Sequence, residues 1–208
     1  MLLYSENGRH VHRYGVYIVA TCNNGGTIVE CNTAYGGSRS STDAHFSDYD
    51  GFLVLSHFKG HAMAGFGGAL KNISIGMASR EGKLLIHSAG RSRTSWQGAA
   101  TPDLLESMAD ACKAVLASQP NTLFVNVMNN LSVDCDSHPA PPKMADVGIL
   151  ASADPVALDQ ACVDLVYASD DDSADLIARI ESLDGQHVLE AAEQLGVGSR
   201  AYELVEID

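Results

Sequence analysis

Positive charge is scarce in this chain of 208 residues: 13 Lys and Arg stand against 26 Asp and Glu, a net charge of -13. A surface of that sign repels the nucleic-acid backbone and anionic membranes, so neither is an expected partner. Long apolar runs are also missing. No stretch approaches the about 18 residues of a membrane-crossing helix, and the opening Met1-Leu2-Leu3-Tyr4-Ser5-Glu6 lacks the basic-then-apolar order of an export signal. The expected location is the cytoplasm. Cysteines number five, Cys22, Cys31, Cys112, Cys135 and Cys162, an odd count at wide, irregular spacing. That excludes a disulfide framework, and without a Cys-x-x-Cys motif nothing local holds an iron–sulfur cluster. Repeats and low-complexity linkers are absent as well.

What the chain does have is 46% hydrophobic and 19% charged residues, the balance of a globular protein able to bury a core without staples. Apolar runs bounded by Gly, Asn, Asp or Ser predict strands over 14–21, 27–31, 52–56, 83–87, 122–128 and 146–151. Most are continuous rather than alternating, as in buried strands. Thr101-Pro102 and Asp154-Pro155 each read as an N-cap followed by proline at the first helical position, opening helices with apolar faces. Two shorter helices are expected over 174–182 and 188–195, the second stopped by Gly196, and a last strand over 202–207. The fold class that follows is α/β, with a mainly parallel (mixed) sheet flanked by helices in a three-layer sandwich, as one domain over 1–208.

Two features break the pattern. Residues 32–49, between two expected strands, are rich in Ser and Gly with no apolar period. Either the strands on both sides are antiparallel neighbours joined by a functional loop, or part of the natural chain is missing there. Charge is also unevenly spread. Residues 170–208 carry eleven acids and two arginines, whereas 57–96 carry six Lys or Arg and one Glu, which makes the latter the place to look for an anion.

Several strings in order resemble one family. They are Thr27 to Gly37 (TIVECNTAYGG), Ser56-His57-Phe58-Lys59-Gly60-His61, Gly65 to Asn72 (GFGGALKN), Asp134-Cys135-Asp136, Asp146 to Ala151 (DVGILA), Asp154 to Ala161 (DPVALDQA), and Leu195 to Arg200 (LGVGSR). The chain is similar to the uncharacterised family known as domain of unknown function 362. The resemblance implies a bacterial or archaeal protein, with iron–sulfur association in the many members that carry a ferredoxin-like insertion. Where that insertion would lie, this chain has only residues 89–101, without cysteine. No iron–sulfur cluster is therefore expected in this chain. Longer members also imply shortening at the N-terminus and around 42–46. Members commonly have further cysteines after Cys135, where Ser137 and His138 stand here; the comparison implies a mixed sulfur, imidazole and carboxylate site.

Candidate residues fall in three groups. His57 and His61 follow a strand end, beside the glycines Gly60, Gly65, Gly67 and Gly68, and with Lys59, Lys71 and His87 they have the make-up of an anion loop. A helix over 69–78 would put Gly67 and Gly68 at its N-terminus with free amides. The loop lacks Walker and GxGxxG spacing, so no nucleotide is named. Asp134-Cys135-Asp136-Ser137-His138 concentrates metal donors, and Cys135, Asp136 and His138 are candidate ligands for iron or zinc, completed by a distant histidine. Cys31, a strand-end thiol next to Asn32, is a candidate nucleophile, whereas Cys112 and Cys162 read as core. Catalytic roles are thus assigned to Cys31, His57 and His61, and ligand binding to Asn32, Lys59, Gly65, Gly67, Gly68, Lys71 and His87. The expected function is a redox-linked or metal-assisted enzyme acting on a small anionic ligand. The alternative is a non-catalytic binding module working with a separate ferredoxin-type electron carrier. Substrate, metal identity and oligomeric state are not legible in the sequence.

Overall fold

The computed structural model describes residues 28–30, 39–41, 49–96, 98–134, 141–170 and 172–207. Its strands are β1 (Ile28–Glu30), β2 (Arg39–Ser41), β3 (Phe52–His57), β4 (Lys59–His61), β5 (Gly65–Gly67), β6 (Thr122–Met128) and β7 (Gly148–Ser152). The helices are α1 (Ala69–Lys71), which runs into a π-helical turn at Asn72–Gly76, then α2 (Arg80–His87), α3 (Thr101–Ser118), α4 (Pro155–Tyr167), α5 (Ala174–Ser182) and α6 (His187–Gln194). β6 is the centre of a three-stranded sheet, parallel to β3 and antiparallel to β7. The α/β class with a mixed sheet holds. β1 pairs with β2 as an antiparallel hairpin, so its partner lies inside the stretch read as a loop and is not β3. β4 and β5 form a second hairpin, with Gly60 opposite Phe66.

Strand alternation decides which face of the sheet packs. Phe52, Val54 and Ser56 of β3 and Phe124, Asn126 and Met128 of β6 point into the protein and are buried. Helix α4 and the α1 segment lie against that side, and α3 and α6 join them in one continuous core with Leu105, Val115, Val156, Val163 and Leu189. On the other face Leu53, Leu55, Leu123 and Ile149 are 38, 55, 47 and 70% exposed. The continuous apolar strands thus belong to a sheet packed, among the described residues, chiefly on one face.

Three sequence expectations change. Residues 83–87 lie in α2 and not in a strand: Ser79 accepts from Gly82 N at 3.1 Å as N-cap, and Gly82, Leu85 and Ile86 fall on one buried helical stripe. Thr101 is the first residue of α3 and not its cap, which is Ala100. Residues 202–207 form no strand. The Tyr202 hydroxyl donates to Asp164 at 2.8 Å, and Leu204, Val205 and Ile207 then project into solvent.

The two motifs around Asp154 form one clasp. Asp154 Oδ1 accepts from Val156 N (2.8 Å) and Ala157 N (3.1 Å), capping α4, while Oδ2 accepts from Ser199 N at 2.8 Å. Residue 199 reaches that point because α6 ends in a Schellman turn. Val197 N donates to Ala192 O and Gly196 N to Glu193 O, with Gly196 at φ +72°. Gly198 then passes so close to Asp154 that an added Cβ would meet Oδ1 at 2.0 Å. Asp154→Ala removes a helix cap and a tertiary hydrogen bond together, and is expected to lower stability by about 2 kcal/mol in urea denaturation. An unchanged midpoint would show that water replaces both.

Candidate functional site

The parallel strand β3 delivers its last residue, His57, to an open cleft. After Phe58 the chain turns into the β4–β5 hairpin, and the cleft lies between these strands and the start of the α1 and π-helical segment. It encloses about 220 Å³ and is lined by Leu55, Ser56, His57, Lys59, Gly60, His61, Gly67, Gly68, Lys71 and Asn72. Among these lining side chains no carboxylate occurs, and two are lysines. A pocket carrying two cations in a chain of net charge -13 is a local reversal of field.

Several neighbours fix its shape. Asn72, at the start of the π-helical turn, donates from Nδ2 to Leu55 O (3.1 Å) and Ser56 Oγ (2.9 Å), which ties that turn to β3. Single π-helical turns of this kind are frequent at functional sites. Gly60 N donates to Ser132 O at 2.8 Å, seating β4 on residues 131–134, and Arg179 of α5 pairs with Asp134 at 2.9 Å behind it. The Lys71 stem crosses Gly67, where a Cβ would stand 3.0 Å from Lys71 Cδ.

Three of these glycines make close approaches within the protein. Gly60 abuts the Val133 backbone, Gly65 (φ +78°) abuts Gly185, and Gly68 abuts the Asp159 carboxylate. The first two amides of α1 are taken by a side chain. Ala69 N and Leu70 N donate to Asp159 Oδ1 (2.8 Å) and Oδ2 (2.9 Å), and Asn126 Nδ2 donates to Oδ1 at 2.7 Å. Asp159 is fully buried, and desolvation pushes its carboxyl up to about 6 against the opposing pull of those three donors.

The two cleft histidines and the neighbouring His87 have their protons placed by the main chain. His57 Nε2 lies 2.6 Å from Asn129 O; a carbonyl only accepts, so Nε2 carries the proton and, in the neutral ring, Nδ1 is the acceptor side. His87 Nδ1, 2.7 Å from Lys83 O, is protonated for the same reason, and its ring packs tilted against Trp96, with centroids 4.3 Å apart. His61 is the reverse. Its Nδ1 accepts from Met63 N and Ala64 N, both at 3.2 Å, so in the neutral ring Nε2 carries the proton. Burial first, then Lys71, His87, Lys59 and Arg179, hold the His61 pKa down at about 4. His87 is also lowered, chiefly by burial.

The described site therefore brings together His57, Lys59, His61, Gly67, Gly68 and Lys71. Gly65 lies at the back of the hairpin and His87 beyond the lining, near enough to bear on His61. Cys31, Asn32, Cys135, Asp136 and His138 fall outside the described residues. Asn72, Asn126 and Asp159 shape the site although sequence reasoning does not single them out for it. The signal for two of them is a polar residue inside an apolar run, Asn126 in β6 and Asp159 on the buried face of α4.

The remaining cysteines bear on whether the chain could hold an iron–sulfur cluster. Cys112 and Cys162 are buried in α3 and α4, and desolvation pushes both thiols upward, away from the thiolate that iron requires. Three cysteines are left in the chain, one short of a four-cysteine cluster, and the residues do not fit one. Among the described residues no three His, Cys, Asp or Glu side chains are grouped to hold a metal ion. No described helix is long and apolar enough to cross a membrane.

The family model described as domain of unknown function (DUF362) matches residues 5–164. The chain belongs to the DUF362 family. No curated protein matches this DUF362 chain. A crystal structure of a protein from Thermotoga maritima is similar at 12% identity with a TM-score of 0.38, over 92% of this chain and 41% of that one. The DUF362 chain thus spans less than half the length of that protein.

Proposed function

We propose that the chain binds a small anionic ligand in the cleft beyond β3. The supporting observation is that Lys59 and Lys71 line one pocket, with no carboxylate among its described lining residues. Asn72 and Ser56 add polar groups at its floor. His57, with Nδ1 left as a proton acceptor, supports a reaction on that ligand and not storage alone. In the enzymatic form of this reading the reaction is redox-linked or metal-assisted. Iron or zinc on Cys135, Asp136 and His138 belongs to that form as a separate proposal, as does a ferredoxin-type electron carrier as partner.

The test is titration calorimetry with inorganic phosphate and with acetate, on the wild type and on Lys59→Ala. Removing one of the two lysines that line the cleft is expected to weaken binding roughly tenfold or more, with the difference shrinking as sodium chloride is added. Equal affinities for the two proteins, or no binding of either anion, would remove the proposal.

A further inference from the structure

The cleft holds two histidines whose protons are placed oppositely with respect to what a ligand can use. His57 spends its N–H on Asn129 O and keeps a lone pair at Nδ1. His61 spends its lone pair on the Met63 and Ala64 amides and keeps an N–H at Nε2. A neutral imidazole has one of each, so the main chain has already chosen which edge is left. His61 also lines the pocket that Lys59 and Lys71 enter, on the hairpin between them in sequence.

We propose that His61 is a donor-only residue whose Nε2–H hydrogen-bonds one oxygen of a phosphate group, free or at the end of a small phosphomonoester, held between Lys59 and Lys71. This rests on the anion reading above and narrows it. Two fixed positive charges match a dianion better than a carboxylate, and a third donor suits a tetrahedral group with three oxygens to offer. The same geometry removes His61 from two other roles. A base needs a lone pair at the edge facing the substrate, and a metal needs one at the coordinating nitrogen; at Nε2 His61 has neither. Burial, and after it the nearby charges of Lys71, Lys59 and Arg179, oppose a second proton, so the donor stays a neutral N–H through the neutral range.

The assignment is tested first on the wild type by long-range nitrogen-15 NMR of the histidine rings. The His61 ring is expected to show protonated Nε2 and bare Nδ1 from about pH 5 to pH 8. Its Nε2–H resonance is expected to move when inorganic phosphate or methyl phosphate is added, and to stay in place with acetate at equal concentration. In calorimetry His61→Leu should lose about tenfold in phosphate affinity, and His61→Gln, which can place an amide N–H near the Nε2 position, should stay within about threefold of wild type. Preference for methyl phosphate over inorganic phosphate identifies a monoester as the source, and the reverse a free ion. Three results would overturn the assignment while leaving the anion reading intact: phosphate binding with an unmoved His61 resonance, His61→Leu binding as well as wild type, or acetate binding as tightly as phosphate. The expected tautomer without binding of any of the three anions overturns both.

Discussion

Asp159→Ala is expected to lower folding stability by about 3–5 kcal/mol. The carboxylate is completely buried and is the shared acceptor for Ala69 N, Leu70 N and Asn126 Nδ2. Alanine would orphan three donors in the core and leave a cavity beside Gly68. Asp159→Asn keeps the volume but turns an NH₂ group toward a main-chain N–H, and is expected to lose about half as much. Both are read from urea midpoints. The pH dependence carries a second signature. The folded pKa, about 6, lies above the ordinary value of 3.8, so between these two the native state holds the proton more tightly than the unfolded chain. The Asp159 contribution is therefore fully present below about pH 4 and is lost as pH rises through about 6, a change on the order of 3 kcal/mol. Asp159→Asn should remove that slope from the stability profile. An identical slope in wild type and variant would assign it to other groups.

Gly60→Ala is expected to cost roughly 2–4 kcal/mol and to abolish phosphate binding together with it. A Cβ at residue 60 would stand 1.8 Å from Val133 O and 2.4 Å from Val133 C, both main-chain atoms that cannot swing aside. Relief requires β4 to lift from residues 131–134, which breaks Gly60 N to Ser132 O and carries Lys59 and His61 with it. The energy combines overpacking with a lost hydrogen bond. Calorimetry and urea denaturation on one preparation check both halves. Wild-type phosphate affinity in a stably folded Gly60→Ala protein would show that the seat on residue 133 does not shape the cleft.

These two residues mark where the sequence could and could not be read. The run at 122–128 and the Asp154-Pro155 start were legible because local chemistry alone determines them: apolar β-branched content in one, a cap and a proline in the other. The run at 83–87 misled because Lys83-Leu84-Leu85-Ile86-His87 is short enough to fit either period, and the deciding cap, Ser79, lies four residues upstream. β4 and β5 escaped notice because glycine is depleted in strands; these strands exist because Gly60 and Gly65 allow close backbone contacts that only the folded chain reveals. The cleft itself was largely visible, since His57, Lys59, His61, Gly67, Gly68 and Lys71 fall within fifteen residues. The carboxylate behind it was not. Asp159 is some ninety positions away, and no local rule says that a helix start will be capped from another helix.

The two cleft histidines and the neighbouring His87 take their tautomers from the carbonyls of residues 129 and 83 and from the amides of residues 63 and 64. Every residue type supplies a carbonyl, and every type but proline supplies the amide. Sequence drift at those four positions can change each side chain and still leave the protons where they are. Only an insertion that redirects the backbone, or a proline at 63 or 64, rewrites the pattern. The acid–base identity of the cleft is thus inherited with the path of the chain and not with the names of its neighbours.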